Sequence, residues 1–224
     1  QKKIISKFNF YQKKYKKLEK KIKLTIKKNI IYVSDNIGHI YALNYKTNKV
    51  IWAKNYKIPF RSNLKLTKKL LLVADQNNNF YLLNKLNGEI ARFIPTEETT
   101  LKNDFINSIG YSDDIIYFLN TYGSLYSINE DDLKINWFIN LNKSVDINAA
   151  SLFYSNPIII NKDKVIVSTT PYLYVFDAKT GVTSLKLAVS SIVHPIISGN
   201  NLFLVTKNNL LVCLSTQTGK VIYS

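Results

Sequence analysis

A segment of about 40 residues recurs five times along this chain, and the repetition limits the possible folds more than any other feature. When the copies are aligned, one position is always aromatic or β-branched, and it is occupied by Tyr41, Tyr81, Tyr126, Tyr174 and Val212. Successive members of this column are 40, 45, 48 and 38 residues apart. Asp35 and Asp75 share a second column. Repeats of this length are typical of folds in which each copy is one structural unit that buries its apolar surface against its neighbours.

Each copy alternates short apolar runs with polar turns. In the first copy, Ile30–Ser34 and His39–Asn44 are rich in β-branched and aromatic residues and predict two strands joined by a turn over 35–38. A second turn, clearest over 177–181, ends on a glycine, which accepts the positive φ that such turns require. A third strand follows and carries an aromatic residue in three copies: Trp52, Trp137 and Tyr223.

A fourth strand is predicted between successive copies, over Arg61–Leu66, Pro157–Ile160 and Val193–Ile197, and Ile22–Ile26 predicts its equivalent before the first copy. Four antiparallel strands in about 40 residues form the blade of a β-propeller. We therefore predict an all-β protein, a β-propeller of four-stranded antiparallel blades with about five blades present. The repeated Trp and Tyr residues are expected to pack between blades rather than to contact a ligand.

The run from Gly38 to Asn44, followed by Val50-Ile51-Trp52, resembles the PQQ-like repeat of quinoprotein-type propellers and departs from it at Asn48, where glycine is usual. The resemblance covers about residues 28–224. The stretch 52–64 looks like the link between blades in scaffolds of the BamB type. That family has eight blades, which need about 320 residues, so the resemblance implies a larger propeller. We predict a basic segment over 1–27, with a remnant of a preceding blade at Ser6–Tyr11 and the first inner strand, and a single propeller domain over 28–224.

The resemblance implies a non-catalytic scaffold of the outer-membrane β-barrel assembly machinery, located at the periplasmic face of that membrane. Its partner would be the periplasmic part of the barrel-forming insertase. Two alternatives stay open. One is a fragment of a PQQ-dependent quinoprotein dehydrogenase, which by resemblance would need a calcium site, a Trp floor under the quinone and usually a vicinal Cys pair. The other is a generic protein-interaction propeller.

No residue set with recognised catalytic or metal-binding spacing is apparent. Cys213 is the single cysteine, which excludes a disulfide framework and a Cys-rich zinc site. The two histidines, His39 and His194, are far apart in sequence, and the acidic clusters at 113–114 and 130–132 fall in predicted turns. We therefore predict no catalytic residue, no cofactor, no metal and no enzymatic activity.

Four residues are predicted to contact a protein partner. Arg61 is one of only two arginines and follows Phe60 at the start of a predicted strand, and arginine is favoured in interface hot spots. Glu97 and Glu98 lie in an acidic loop over 95–100 that is longer than its counterparts, and loops at the rim of a rigid scaffold often bind partners.

The net charge of +16 is concentrated at the beginning of the chain, since residues 1–28 hold 12 lysines and one acid, which gives +11 (12 − 1). A solvated lysine-rich turn and a contact with anionic lipid headgroups both fit this run. A nucleic-acid partner is not predicted, because the aromatic residues among these lysines form no recognised binding motif.

Overall fold

The computed structural model describes residues 11–98, 106–144 and 153–224 of the 224-residue chain. Within these ranges, twenty strands form five four-stranded antiparallel sheets, each in simple sequential order. Blade 1 contains β1 (Ile22–Lys27), β2 (Ile30–Asp35), β3 (His39–Asn44) and β4 (Lys49–Asn55). Blade 2 contains β5 (Lys65–Leu66), β6 (Leu70–Ala74), β7 (Phe80–Asn84) and β8 (Ile90–Ile94). The predicted all-β blade architecture is thereby confirmed.

Three further blades follow the same plan. Blade 3 contains β9 (Ser108–Ser112), β10 (Ile115–Leu119), β11 (Ser124–Asn129) and β12 (Ile135–Asn140). Blade 4 contains β13 (Ile159–Asn161), β14 (Lys164–Ser168), β15 (Leu173–Asp177) and β16 (Thr183–Leu187). Blade 5 contains β17 (Ile196–Ser198), β18 (Asn201–Val205), β19 (Leu211–Ser215) and β20 (Val221–Tyr223). Single 3-10 turns occur at Lys13–Tyr15 and Leu141–Ser144.

The chain divides into two compact units, which are described separately. The first unit spans Gln1–Thr96 and contains blades 1 and 2, and the second spans Glu97–Ser224 and contains blades 3 to 5. No helix in the described ranges combines the length and the apolar character that crossing a bilayer requires.

All five blades bend at one place, where the register between the third and fourth strands shifts. The shift falls in a single column of the repeat, at Ala42/Leu43, Leu82/Leu83, Ser127/Ile128, Val175/Phe176 and Cys213/Leu214. A residue inserted on one strand of an antiparallel pair bends that strand and increases its twist. The five copies therefore encode the same local backbone although their side chains differ.

The core of the first unit lies between blades 1 and 2. The buried cluster comprises Tyr32, Ile40, Ala42, Trp52, Phe60, Leu64, Leu71, Val73, Tyr81 and Leu83. The Trp52 indole N–H donates to the Lys85 carbonyl at 3.0 Å, and the ring covers Gly88. A Cβ at position 88 would lie 2.6 Å from Trp52 Cε3, so the turn glycine is needed for this contact as well as for its φ of 73°.

The core of the second unit lies on both sides of blade 4. Between blades 3 and 4 the buried residues are Tyr117, Leu119, Leu125, Leu141, Phe153, Val165, Val167, Tyr174, Phe176 and Ala178. Between blades 4 and 5 they are Ile159, Ile166, Leu173, Val175, Leu202, Leu204, Val212 and Leu214. Trp137 repeats the arrangement of the first unit, since its indole N–H donates to the Ala178 carbonyl at 3.1 Å and its ring covers Gly181. The predicted packing of both tryptophans between blades is confirmed.

The predicted inner strands are less regular than the sequence suggests. The strand expected over Arg61–Leu66 is reduced to Lys65–Leu66, with an isolated bridge between Phe60 and Asp75. The cause is Ser62, whose hydroxyl accepts the Ala74 N–H at 2.8 Å in place of a backbone carbonyl. The other inner strands begin late, at Ile159 and Ile196, whereas β1 confirms the strand expected at Ile22–Ile26. The remnant predicted at Ser6–Tyr11 lies outside the described residues, apart from Tyr11.

Candidate functional site

The interblade link, residues 56–64, connects blade 1 to blade 2 and carries two of the predicted partner contacts. Its backbone is held on both sides. Phe60 N–H donates to the Asp35 carbonyl at 3.1 Å, and Arg61 N–H donates to the Ala74 carbonyl at 2.9 Å. On the other side of Phe60, the Pro59 carbonyl accepts the Gln76 N–H at 2.9 Å. The link is therefore fixed to the turns of both blades.

Phe60 holds the link from inside. Its ring is only 5% exposed and meets the rings of Tyr56 and Tyr81 edge-on, at centroid distances of 5.5 and 6.0 Å. Such edge-to-face aromatic contacts add to the effect of burial. Phe60 therefore positions its neighbour in the link, and its own contact with a partner stays a prediction.

Arg61 lies directly after this buried ring and is half-buried. Among the described residues, no carboxylate lies within ion-pair distance of its guanidinium, so no internal acid neutralises the charge. An arginine on a fixed backbone loses little entropy when its planar donors meet an acceptor. The arrangement suits recognition of a carboxylate or a carbonyl-rich loop on another protein.

Buried carboxylates organise the turn between the second and third strands in blades 1 and 2. In blade 2, Asp75 Oδ1 accepts the backbone N–H groups of Asn77 and Asn79 at 2.8 and 3.0 Å. Asp75 Oδ2 accepts the Asn79 side-chain amide and the Tyr81 hydroxyl, both at 2.9 Å. In blade 1, Asp35 accepts the N–H groups of Ile37 and His39 in the same way.

Glu97 takes over part of this role in blade 3. There Asn120 occupies the aspartate column and its Oδ1 still accepts the N–H groups of the turn, at Tyr122 and Ser124. The carboxylate comes from Glu97, which accepts the Ser124 hydroxyl at 2.8 Å, the Asn120 amide at 3.0 Å and the Tyr126 hydroxyl at 3.1 Å. Glu97 therefore completes a turn inside the second unit, and its contact with a partner stays a prediction.

The surroundings of Glu97 set its acidity. Burial raises the pKa of the carboxyl group, but the hydrogen bonds from its own backbone, Ser124, Asn120 and Tyr126 outweigh burial and bring the pKa below its ordinary value of 4.5. A carboxylate with a lowered folded-state pKa stabilises the fold above the unfolded pKa, and this stability is lost as the pH falls through the folded pKa.

A pH-dependent stability difference is expected from Glu97→Gln. At about pH 7 the variant should unfold more readily than the wild type, whereas at about pH 3, where Glu97 is protonated, the difference should shrink. Urea unfolding at both pH values measures this. Glu98→Gln is the matched control, since Glu98 is exposed and should change stability little at either pH. A difference for Glu97→Gln that stays constant with pH would contradict the assignment.

Sequence reasoning missed a group of residues at the edge of blade 1. Tyr11 donates its hydroxyl to Asp35 Oδ2 at 2.7 Å, and the rings of Tyr11 and Tyr15 meet the His39 ring edge-on. His39 also has a carboxylate neighbour, since its Nδ1 lies 3.3 Å from Asp35 Oδ2. A contact between residues 24 positions apart has no signal in a single sequence, so only the structure reveals this arrangement.

The cysteine and the second histidine, which are further candidates for chemistry, lie in different environments. Cys213 is 1% exposed and packs in blade 5, as expected for an inert thiol. His194 is exposed. Across the described ranges, no three His, Cys, Asp or Glu side chains are grouped so that they could hold a metal ion.

Comparison with known proteins gives one consistent family. The sequence model described as "Outer membrane protein assembly factor BamB", of the PQQ_2 type, matches residues 5–224. The outer membrane protein assembly factor BamB of Legionella pneumophila (strain Paris) is 22% identical over 201 residues, which cover 84% of this chain and 49% of that protein. The chain thus spans about half the length of this relative.

Solved structures agree on the fold. The crystal structure of BamB from Moraxella catarrhalis superposes with a TM-score of 0.72 and 12% identity, over 87% of this chain and 60% of that one. The quinohemoprotein alcohol dehydrogenase from Comamonas testosteroni gives a TM-score of 0.71 and 13% identity, over 89% of this chain and 42% of that one. At such identities both similarities show the propeller fold alone.

Proposed function

We propose that this chain, which belongs to the family of outer membrane protein assembly factor BamB, acts as a non-catalytic scaffold in the assembly of outer-membrane β-barrels. In this proposal it lies at the periplasmic face of the outer membrane and holds the periplasmic part of the barrel-forming insertase. Membership of this family supports the proposed process. The observation that carries the mechanism is Arg61, an arginine without an acidic partner among the described residues, on a link fixed to two blades.

The proposed mechanism is docking on a preformed surface. The interblade link is already held by backbone hydrogen bonds and by the buried Phe60 ring, so little conformational entropy is lost when a partner binds. A strand or loop of the partner would place acceptor groups on Arg61. Glu98, which is exposed, supplies a second predicted contact of opposite charge.

The test is Arg61→Glu in the intact protein, followed by crosslinking in its own cell envelope and mass spectrometry of the captured proteins. Recovery of the insertase should fall by about tenfold or more, because a central arginine contact is replaced by a repulsive charge. Lys46→Glu is the matched control, since it makes the same charge change on an exposed turn of the same unit and should leave recovery unchanged.

Three outcomes would contradict the proposal in different ways. Unchanged insertase recovery with Arg61→Glu would show that the interblade link is not the docking surface. Recovery of a different envelope protein would favour a generic interaction propeller. Recovery of no envelope protein, together with quinone-dependent dye reduction by the same sample, would favour a quinoprotein dehydrogenase. The contact of the N-terminal lysines with anionic lipids remains part of the proposal and is tested separately.

A further inference from the structure

Residues 11–21, which are part of the lysine-rich segment, form a strap attached to blade 1. Tyr11 reaches the buried Asp35 carboxylate, and Asn36 binds the far end of the strap. The Asn36 side chain accepts the Lys21 N–H at 2.8 Å and donates to the Glu19 carbonyl at 3.2 Å. Since both ends of the strap are held, the backbone that carries the lysines between them follows a defined path along blade 1.

A cleft opens between the strap and the end of the β3–β4 hairpin. It has a volume of about 320 Å³, and the residues lining it are Gln12, Lys14, Tyr15, His39, Ala53, Lys54, Asn55 and Lys57. Three of these are lysines, and none is an acid. A water molecule occupies about 30 Å³ in the liquid, so the strap cleft has room for a polyatomic ligand.

Two of the lysines keep their charge available to the strap cleft. Lys54 is paired with Glu89 at 2.5 Å, which partly neutralises it. No ion pair of Lys14 or Lys57 occurs among the described residues. The Lys14 ammonium lies 4.6 Å from the centre of the Tyr15 ring. These two ammonium groups therefore give the strap cleft a positive potential, of which the buried Asp35 carboxylate, 3.3 Å from His39 Nδ1, offsets only part.

The Tyr15 hydroxyl reports that potential. Its pKa lies below its ordinary value of 10.0, chiefly because of its interaction with the Lys14 ammonium, with smaller contributions from the Asn55 amide and the Lys57 charge that together outweigh the opposing effect of burial. Positive groups that favour a phenolate would also favour an anion bound beside it.

Hydrogen bonds fix the polar groups on the hairpin side of the strap cleft. Asn55 Oδ1 accepts the Lys57 N–H at 2.8 Å, which holds Lys57 in a left-handed conformation with a φ of 60°. The Asn55 side-chain amide lies 3.0 Å from His39 Nε2, and His39 is held between the strap tyrosines and Asp35. Donors that are held before a ligand arrives reduce the entropy lost on binding.

We propose that the strap cleft binds a phosphate-type oxyanion, with Lys14 and Lys57 as the charged donors and Tyr15 and Asn55 as the neutral ones. Two lysine point charges together with hydroxyl and amide donors match a tetrahedral phosphate group, whose negatively charged oxygens accept from several directions. The phosphate group could belong to a lipid headgroup or be free in solution, and the recognition chemistry is the same for both.

The test is a titration of the full chain with inorganic phosphate, followed by ¹⁵N–¹H correlation NMR. Saturable shifts are expected in the amides of Tyr15, Asn55 and Lys57. Lys14→Ala and Lys57→Ala should each weaken binding by about tenfold, since each removes a charge-assisted hydrogen bond. Lys17→Ala is the matched control, because Lys17 is an exposed lysine of the same strap that does not line the cleft.

A second arm identifies the source of the phosphate. The same variants are cosedimented with vesicles of phosphatidylglycerol in phosphatidylcholine. A greater loss with Lys14→Ala and Lys57→Ala than with Lys17→Ala would support a lipid headgroup, whereas site-specific phosphate binding without such a difference would support a soluble phosphate. Shifts that never saturate, or equal effects of all three variants in both arms, would overturn the proposal. Lys14 and Lys57 are exposed, so neither exchange should disturb the fold. A ¹⁵N–¹H spectrum of each phosphate-free variant that matches the wild type away from the cleft verifies this.

Discussion

Asp75→Ala is expected to lower the free energy of unfolding by about 4 kcal/mol, the scale at which removing one member of a buried charged network acts. The Asp75 carboxylate is fully buried and accepts four hydrogen bonds, two from backbone N–H groups and two from Asn79 and Tyr81 side chains. Alanine would leave all four donors without an acceptor in a site that it cannot fill. Loss of the buried charge offsets only part of this cost.

Urea unfolding followed by circular dichroism and tryptophan fluorescence measures the effect. Asp75→Asn should lie between the wild type and Asp75→Ala, because an amide keeps one acceptor for the turn and presents a donor to Tyr81. Asp177→Ala is the comparison for a partly exposed turn aspartate, which accepts the backbone N–H groups of Lys179 and Thr180, and it should cost about 1 kcal/mol, the net value of a typical hydrogen bond. A loss for Asp75→Ala no larger than that for Asp177→Ala would show that the buried network contributes little.

Gly181→Ala is expected to destabilise the second unit by about 3 kcal/mol, through two effects that add. The backbone of Gly181 has a φ of 73°, which L side chains rarely adopt, and an added Cβ would lie 2.7 Å from Trp137 Cδ2. The ring cannot move away cheaply, because its N–H is bonded to the Ala178 carbonyl three residues before the glycine.

Gly199→Ala in the same unit separates the two effects. Gly199 has a φ of 57° but no heavy atom within 4 Å of its added Cβ, so only the backbone strain of about 1 kcal/mol is expected there. Thermal unfolding of both variants gives the difference. In a Trp137→Leu background Gly181→Ala should cost less, because the rigid ring is gone. Gly219→Ala should likewise cost less than Gly181→Ala, since its nearest neighbour is the Leu187 side chain. Equal losses for the two glycines would refute the ring contact.

The repeat determined most of what could be predicted from the sequence. Blades depend on local strand patterns and on turns with positive φ, and both recur in register along the chain, so five copies reinforce one another. The packing of Trp52 and Trp137 also follows, because a large apolar side chain in a repeated column has to be buried against a neighbouring copy.

Contacts between side chains of different copies could not be predicted in the same way. The loss of the strand expected from Arg61 depends on a serine hydroxyl that replaces a ladder hydrogen bond, and strand patterns carry no information about that choice. The role of Glu97 had a signal in the sequence that the analysis of the repeat missed. In blade 3 the tyrosine of the repeat is present as Tyr126, but the aspartate that binds it in blade 2 is replaced by Asn120, so another carboxylate is needed. Whether Arg61, Phe60, Glu97 and Glu98 contact a partner depends on a second protein.

In blade 3 the carboxylate of the turn comes from Glu97 and not from position 120, and this arrangement also restricts how blade 3 can change over evolutionary time. Reversion of Asn120 to aspartate alone would place a second negative charge against the Glu97 oxygen that now accepts the Asn120 amide at 3.0 Å. Loss of Glu97 alone would leave Tyr126 and Ser124 without their acceptor. Since each single change is expected to be harmful, we expect the residues at positions 97 and 120 to change together in homologues, with one carboxylate shared between the two positions.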